Sequence, residues 1–283
     1  MINDDISKLL SVVIICCDDE RVLDAIASIN PSISIIVSLV PNPLLEKQIT
    51  KTGATVILSQ RGNYSISCNR GLNAVETNFA FIIDSDCIVD SGCLLQITEA
   101  LKSSPLARAH VRFLKNKGAL ASKMLSEWYS CVNNRIPIRA YTPGLGIRLN
   151  IKSSLGGYFF NEGIFWSGDS EFSYRAQKNG LDVAYCQEAV ITHAAISLPH
   201  FINSGYKLGK GSHAQVKLGL RTPYENPEWI LRRFLYRINP SHWFDGKPKI
   251  KRAFHKRLLD TIWLMSFYIG YYLVYHKSPE EIF

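Results

Sequence analysis

Asp84 and Asp86 stand one residue apart at the end of an apolar run, Phe79–Ile83, in the stretch FIIDSDCIVD. A run of that length predicts a strand buried on both faces, as in a parallel sheet. In open α/β sheets, ligands bind beyond the carboxyl ends of the strands. Two ionised carboxylates this close repel each other unless positive charge lies between them. Mg2+ or Mn2+ would supply it, since either needs only one or two protein carboxylates when a substrate brings phosphates. An Asp-rich surface turn would show the same residues, so the surrounding chain has to decide.

Further along, Asp169 lies in GDSEFSYRAQKNG, Gly168–Gly180, at the predicted start of a helix carrying Glu171 and Arg175. A carboxylate whose pKa is raised by burial can take a proton from an attacking hydroxyl. Asp is also a favoured N-cap, so capping alone would explain its place. His193 closes the apolar stretch AVITH and could join Asp86 on a cation or serve only in packing. Lys207 and Lys210, in YKLGKG, could meet substrate phosphates, with the glycines allowing close backbone approach; a solvated basic turn is the plainer alternative.

The elements that must hold these residues alternate. Residues 11–17, Ser34–Leu39, Thr55–Leu58 and Phe79–Ile83 read as four strands. Helical spacing from Val22 to Ile29, around Leu44–Lys51, and over Cys68–Val75 separates them. This alternation predicts βαβ units and an α/β fold with a mostly parallel sheet. Cys93–Leu101 reads as a helix. Phe172–Lys178 reads as another, and Val183–Tyr185 and Ala189–Thr192 as two short strands. The segment 105–150 is mixed.

The composition is that of a globular protein: 283 residues, 47% hydrophobic and 20% charged. Seven cysteines with scattered spacing and no C-x-x-C argue for reduced thiols in a cytoplasmic setting, against a disulfide framework or a zinc knuckle. The first ten residues contain Asp4 and Asp5 and no long apolar segment, unlike a secretory signal. The net charge is +8, and residues 201–259 hold 13 Lys or Arg against three acids. The basicity is therefore regional and points to an anionic partner. It is followed by IWLMSFYIGYYLVY, Ile262–Tyr275, too short to span a bilayer. An aromatic, apolar segment beside basic residues suits peripheral attachment at the inner face of a membrane; a buried C-terminal helix is the alternative. No nucleic-acid recognition motif is present, so nucleic acid is not expected as a partner.

Taken in order, several stretches resemble the inverting family-2 glycosyltransferases of bacterial envelope and exopolysaccharide type. They are SVVIICCDDE, Asn69-Arg70-Gly71, Asp84-Ser85-Asp86, GIRLNIKSSLGGYFF, GDSEFSYRAQKNG, AVITH and YKLGKG. The resemblance covers roughly residues 10–215. It implies a GT-A glycosyltransferase domain over 1–215, with 216–283 as a basic, aromatic, helical C-terminal extension. It further implies a nucleotide-sugar donor, a divalent cation and a glycan or lipid-linked acceptor. On this reading Asp169 is the catalytic base, and Asp86 and His193 hold the cation. Asp84, Asp18, Asp19, Asn69, Lys207 and Lys210 bind the donor; Glu171, Arg175 and Trp166 face the acceptor.

Two positions depart from the family pattern. Ser38 lies near the place of the usual base-contacting Asp, and Gly168 replaces a Glu. These departures raise the alternative of a domain that binds nucleotide sugars without turnover. DSDCI also nearly fits the D-x-D-x-[TV] signature of haloacid-dehalogenase-like phosphatases, but that motif normally lies on the first strand, and here about three predicted strands precede it.

Overall fold

The computed structural model describes residues 2–116, 120–220 and 250–274. The chain divides into two compact units, one of residues 1–114 and 130–194, the other of residues 115–129 and 195–283.

In the first unit, eight strands form one sheet: β1 Leu10–Cys16, β2 Ser34–Leu39, β3 Thr55–Leu58, β4 Phe79–Asp84, β5 Cys87–Val89, β6 Leu106–Phe113, β7 Leu145–Arg148 and β8 Val183–His193. Their order is β3-β2-β1-β4-β7-β6-β8-β5. The β3-β2-β1-β4 half is parallel throughout, as the alternation predicts. β7 runs antiparallel between β4 and β6, β8 is parallel to β6, and β5 pairs antiparallel with β8.

β1 is buried along its whole length, because it lies between β2 and β4 and helices cover the sheet. Its helical neighbours include α1 Ile2–Leu9 and α4 Tyr64–Asn73; α2 Val22–Ala27, α3 Pro43–Thr50, α5 Cys93–Ser103 and α7 Gly168–Lys178 complete the layers. The core on the α4 and α7 side joins Val13, Ile82, Leu145 and Ile147 to Cys68, Leu72, Phe160 and Phe172. Phe160 stacks on Phe172 at 5.0 Å. Asn42 and Asn63 cap α3 and α4, each accepting a backbone N–H at 3.1 Å.

Two local expectations are corrected. The two short strands predicted around residues 183–192 are a single strand, β8. Its register against β6 steps from Ala109↔Cys186 to His110↔Val190, so an irregularity divides one strand into two paired segments. Ser38 does not sit at a strand end: it lies within β2, fully buried, level with Ile15 and Ile57. The carboxyl end of that strand is reached only beyond Leu39.

The second unit holds most of α6 Leu120–Asn133, α8 Leu198–Lys217 and α9 Ile250–Leu273. The predicted basic turn YKLGKG is a stretch of α8. Its glycines do allow close backbone approach, but to another helix: a Cβ on Gly209 would lie 1.9 Å from the Phe267 carbonyl oxygen, and one on Gly270 2.0 Å from that of Tyr206. An aromatic cluster fills the unit, with Trp128 edge-on to Phe201 at 4.9 Å and Trp263 stacked on Phe267 at 5.4 Å. Trp128 Nε1 donates to Asp260 at 2.7 Å. The run from Ile262 thus packs by one face, through the buried Phe267, Tyr271 and Val274, while Met265, Ile269 and Leu273 are 47%, 52% and 66% exposed. No described helix is long and apolar enough to cross a membrane. The basic residues Arg232, Arg233, Arg237, Lys247 and Lys249 lie outside the described residues.

Candidate active site

The parallel half of the sheet delivers Asp18 and Asp19 just after β1, and Asp84 and Asp86 at the end of β4. Asp86 is the meeting point. His193 Nε2 lies 3.4 Å from one of its carboxylate oxygens, and Arg21 Nη1 lies 3.5 Å from the other. The antiparallel register places Cys87 opposite His193, which brings the end of β8 to the D-x-D.

The hydrogen bonding of His193 fixes its tautomer. Nδ1 lies 2.8 Å from the Ala194 carbonyl oxygen, which can only accept, so Nδ1 carries the proton. In the neutral ring Nε2 then turns a lone pair toward the Asp86 carboxylate. In that form a cation between the two acceptors would reconcile them, whereas a protonated ring would donate Nε2–H to Asp86 directly; an imidazole braced by a backbone carbonyl is the usual form of a metal-ligating histidine. Asp86, Cys87 and His193 place donor atoms within 4.8 Å of one another. Burial pushes the Cys87 thiol well up, with Asp84 and Asp86 adding to the effect. Its protonated sulfur is a poor ligand, which leaves an oxygen and nitrogen pair suited to a hard divalent cation with open positions.

Asp84 has a partner on α4. Its Oδ1 accepts from the Tyr64 hydroxyl at 2.8 Å. Burial first, and the neighbouring Asp86 second, push its carboxyl up to about 6. Asp19 is held by Arg21 in a two-pronged pair, with Nη2–Oδ2 at 2.6 Å and Nε–Oδ1 at 2.9 Å. That hydrogen bonding keeps its carboxyl below the ordinary range. Arg21 therefore spans Asp19 and Asp86. Asp18 accepts from Asn42 Nδ2 at 2.6 Å, so the carboxyl end of β2 presents an Asp18–Asn42 pair.

Asp169 lies on the first turn of α7, half-buried. It does not cap the helix: the N-cap is Ser167, whose φ of 62° puts a non-glycine residue in the left-handed region. Such a conformation costs on the order of 1–3 kcal/mol and is typical of functional turns. Burial raises the Asp169 pKa, against backbone N–H groups of Ser170 and Thr142 and the charge of Arg108. Gly168 has a steric reason: a Cβ there would lie 2.2 Å from Ser65 Oγ, which donates to the Ile164 carbonyl at 2.7 Å. The α4 serine occupies the space that a glutamate at 168 would need.

Three expected ligand-binding residues have other tasks. Asn69 is spent on the 160–162 segment: its side chain bonds both backbone groups of Phe160, at 2.8 and 3.0 Å, and Glu162 Oε1 at 2.9 Å. Glu171 and Arg175, expected near the acceptor, form a buried i,i+4 pair at 2.7 and 3.0 Å. Arg175 also donates to the carbonyls of Leu155, Tyr158 and Phe159 and lies over the Tyr158 ring at 4.1 Å. These residues brace the Gly156–Phe160 stretch from below. Trp166 is half-buried, three residues before Asp169. Lys207 and Lys210 belong to α8 in the second unit. Sequence reading missed Tyr64, Arg21, Cys87 and Arg108. Cys87 follows directly from its place beside the D-x-D; the others had no motif to mark them.

By sequence the chain matches no family model and no curated protein. Its fold does match solved structures. TarS of S. aureus aligns with a TM-score of 0.51 and 12% identity over 93% of this chain, and the chain spans 55% of the length of TarS. Glucosyl-3-phosphoglycerate synthase from Mycobacterium tuberculosis, in complex with Mn2+, uridine diphosphate and glucosyl-3-phosphoglycerate, aligns at 0.52 and 18% identity over 76% of this chain and 80% of that one. A mycobacterial protein aligns at 0.56 and 16% identity, over 76% of each chain. The chain has the GT-A fold. In this chain the D-x-D begins at the end of the fourth strand, not the first, which counts against the phosphatase reading.

Proposed function

We propose that the protein is a metal-dependent, inverting glycosyltransferase that moves a sugar from a nucleotide-sugar donor to a hydroxyl of a glycan or lipid-linked acceptor. The observation that carries this reading is His193 Nε2 lying 3.4 Å from the Asp86 carboxylate, with Nδ1 on the Ala194 carbonyl, at the end of a GT-A sheet, and Asp84 and Asp169 in the same unit. Asp86 and His193 would hold Mn2+ or Mg2+, which supplies charge neutralisation for a leaving diphosphate. Asp84, braced by Tyr64, suits a donor ribose hydroxyl, and the Asp18–Asn42 pair suits the base. Asp169 takes the proton of the acceptor hydroxyl as its oxygen bonds to the anomeric carbon. The bond from that carbon to the diphosphate breaks on the opposite side, and the nucleoside diphosphate leaves with the electron pair. A single displacement of this kind inverts the anomeric centre.

The second unit supports attachment to an anionic lipid surface. Leu258, Met265, Ile269 and Leu273 recur on one exposed face of α9, downstream of the basic stretch. M265E/I269E should reduce co-sedimentation with phosphatidylserine vesicles while leaving far-UV circular dichroism unchanged. Equal binding by the variant, or by neutral vesicles, would remove this attachment.

The decisive test is nucleotide release from UDP-, GDP-, CMP- and dTDP-sugars, with Mn2+ or Mg2+ and with chelator. Release from one donor, lost with chelator and in D86A, and lost in D169N while donor still binds, is the expected result. Binding of a donor by calorimetry with no release would instead identify a domain that binds without turnover, and neither binding nor release from any donor would overturn the reading.

A further inference from the structure

Among the described residues, Arg108 is the largest fully buried side chain, at 0% exposure. A buried guanidinium is costly unless it is paired and hydrogen-bonded. Only one of its nitrogens is satisfied: Nη1 donates to the carbonyls of Pro143, Ala109 (3.2 Å) and Gly144 (3.4 Å). Nε and Nη2 have no partner. The turn it holds is shaped around it. Gly144 has φ +88°, and a Cβ there would lie 2.8 Å from Arg108 Nη1.

That turn connects the elements of the site. Gly144 N–H donates to Ile82 on β4 at 2.8 Å, Ala109 on β6 donates back to Gly144 at 2.9 Å, and Ala140 N–H donates to Ser173 on α7 at 3.1 Å. Thr142 has its backbone N–H directed at Asp169 and its side chain at the Tyr64 hydroxyl that binds Asp84. We propose that Arg108 is a positioning residue: it fixes the 142–144 turn that ties Asp84 to Asp169 and lends its buried positive charge to the Asp169 carboxylate. The inference rests on the reading of Asp169 as the base. Burial pulls the guanidinium down only to about 10, so it is charged at neutral pH, and Asp169 is the foremost group holding it up. The other charged or titratable groups around Asp169 are Asp84 on β4, Cys68 on α4, and the Glu171–Arg175 pair on its own helix.

The test is the carboxyl titration of Asp169 by 13C NMR, assigned with D169N, in wild type, R108M and R108K. R108M should raise the midpoint by one unit or more; R108K, which keeps the charge and loses the fork, should leave it near wild type. With a donor that the protein hydrolyses, R108M should cut turnover at least tenfold with little change in KM, and its acidic pH limb should move upward. An unmoved midpoint in folded R108M overturns the proposal. So does a chain that folds with neither Met nor Lys at 108, since the residue would then be structural only. Activity in D169N would instead remove the base reading while leaving the titration result standing.

Discussion

At position 168, one atom decides which residue fits. Ser65 Oγ fills the volume a side chain there would occupy, so G168E should destabilise the fold by about 1–3 kcal/mol, the usual range for overpacking. S65G should restore part of the loss in the double variant; urea denaturation of the four chains measures both terms. Asp84 offers a second test. Its folded pKa is raised, so its contribution to stability is greatest when it is protonated, below about pH 4, and is lost as pH rises through about 6. D84N should therefore raise the melting temperature at pH 7.5 and leave it unchanged at pH 3.5, while abolishing donor turnover. An unchanged melting temperature at both pH values would mean that the carboxylate is not destabilised by its burial. Residue types and order exposed Asp84, Asp86, Asp169 and His193 in the sequence because apolar strands precede three of them and a helix start contains the fourth. Nothing in the sequence could show that Asn69, Glu171 and Arg175 point inward, since an i,i+4 Glu–Arg pair reads the same on a surface as in a core.

Among the elements, β6 shows most clearly where sequence pattern fails. Arg108 and Arg112 have the same parity in LARAHVRF and should share a face. The residues in excess at the register step, 187–189, lie on β8, while β6 runs on unbroken, so parity does not account for the difference in burial. Arg108 goes into the core, and Arg112 reaches out to Asp90 at 2.5 Å. The same irregularity split β8 into two apparent strands. Strands β1 to β4 were legible because they are uninterrupted apolar runs separated by helices. α7 depends on its buried pair: R175A should cost about 3–5 kcal/mol, the range for stranding one partner of a buried ion pair, with three carbonyls also losing their donor. Guanidinium denaturation would check this, and a loss below 1 kcal/mol would show that water replaces the guanidinium. In the second unit, G209A should loosen the contact of α8 with α9, lowering the denaturation midpoint; an unchanged midpoint would show that the helices can separate by more than a methyl group at no cost.

For the molecule as a whole, composition foretold a globular chain and the alternation of strands and helices an α/β fold, and the parallel half of the sheet obeys it. The expected division at 215/216 does not mark the limits of the two compact units, because residues 115–129, within an unmarked mixed segment, go with the stretch from Ala195 on. Charge patterning also could not reveal how the apolar run of α9 divides between a packed face and an exposed one; that follows from Gly209 and Gly270, whose missing side chains decide which face meets α8.

The pairing of β5 with β8 has a consequence in time. β5 is an edge strand whose sole neighbour is β8, and Asp86 and His193 lie roughly a hundred residues apart, a long loop to close. On a ribosome, the D-x-D emerges well before the strand that completes it. A nascent chain that has made β1 to β7 already has both aspartates, yet it lacks the imidazole opposite Asp86 and the strand that orders Cys87–Val89. If Asp86 and His193 hold a cation as proposed, its capture waits until synthesis has passed residue 193, and a chain that stalls earlier lacks half of that site.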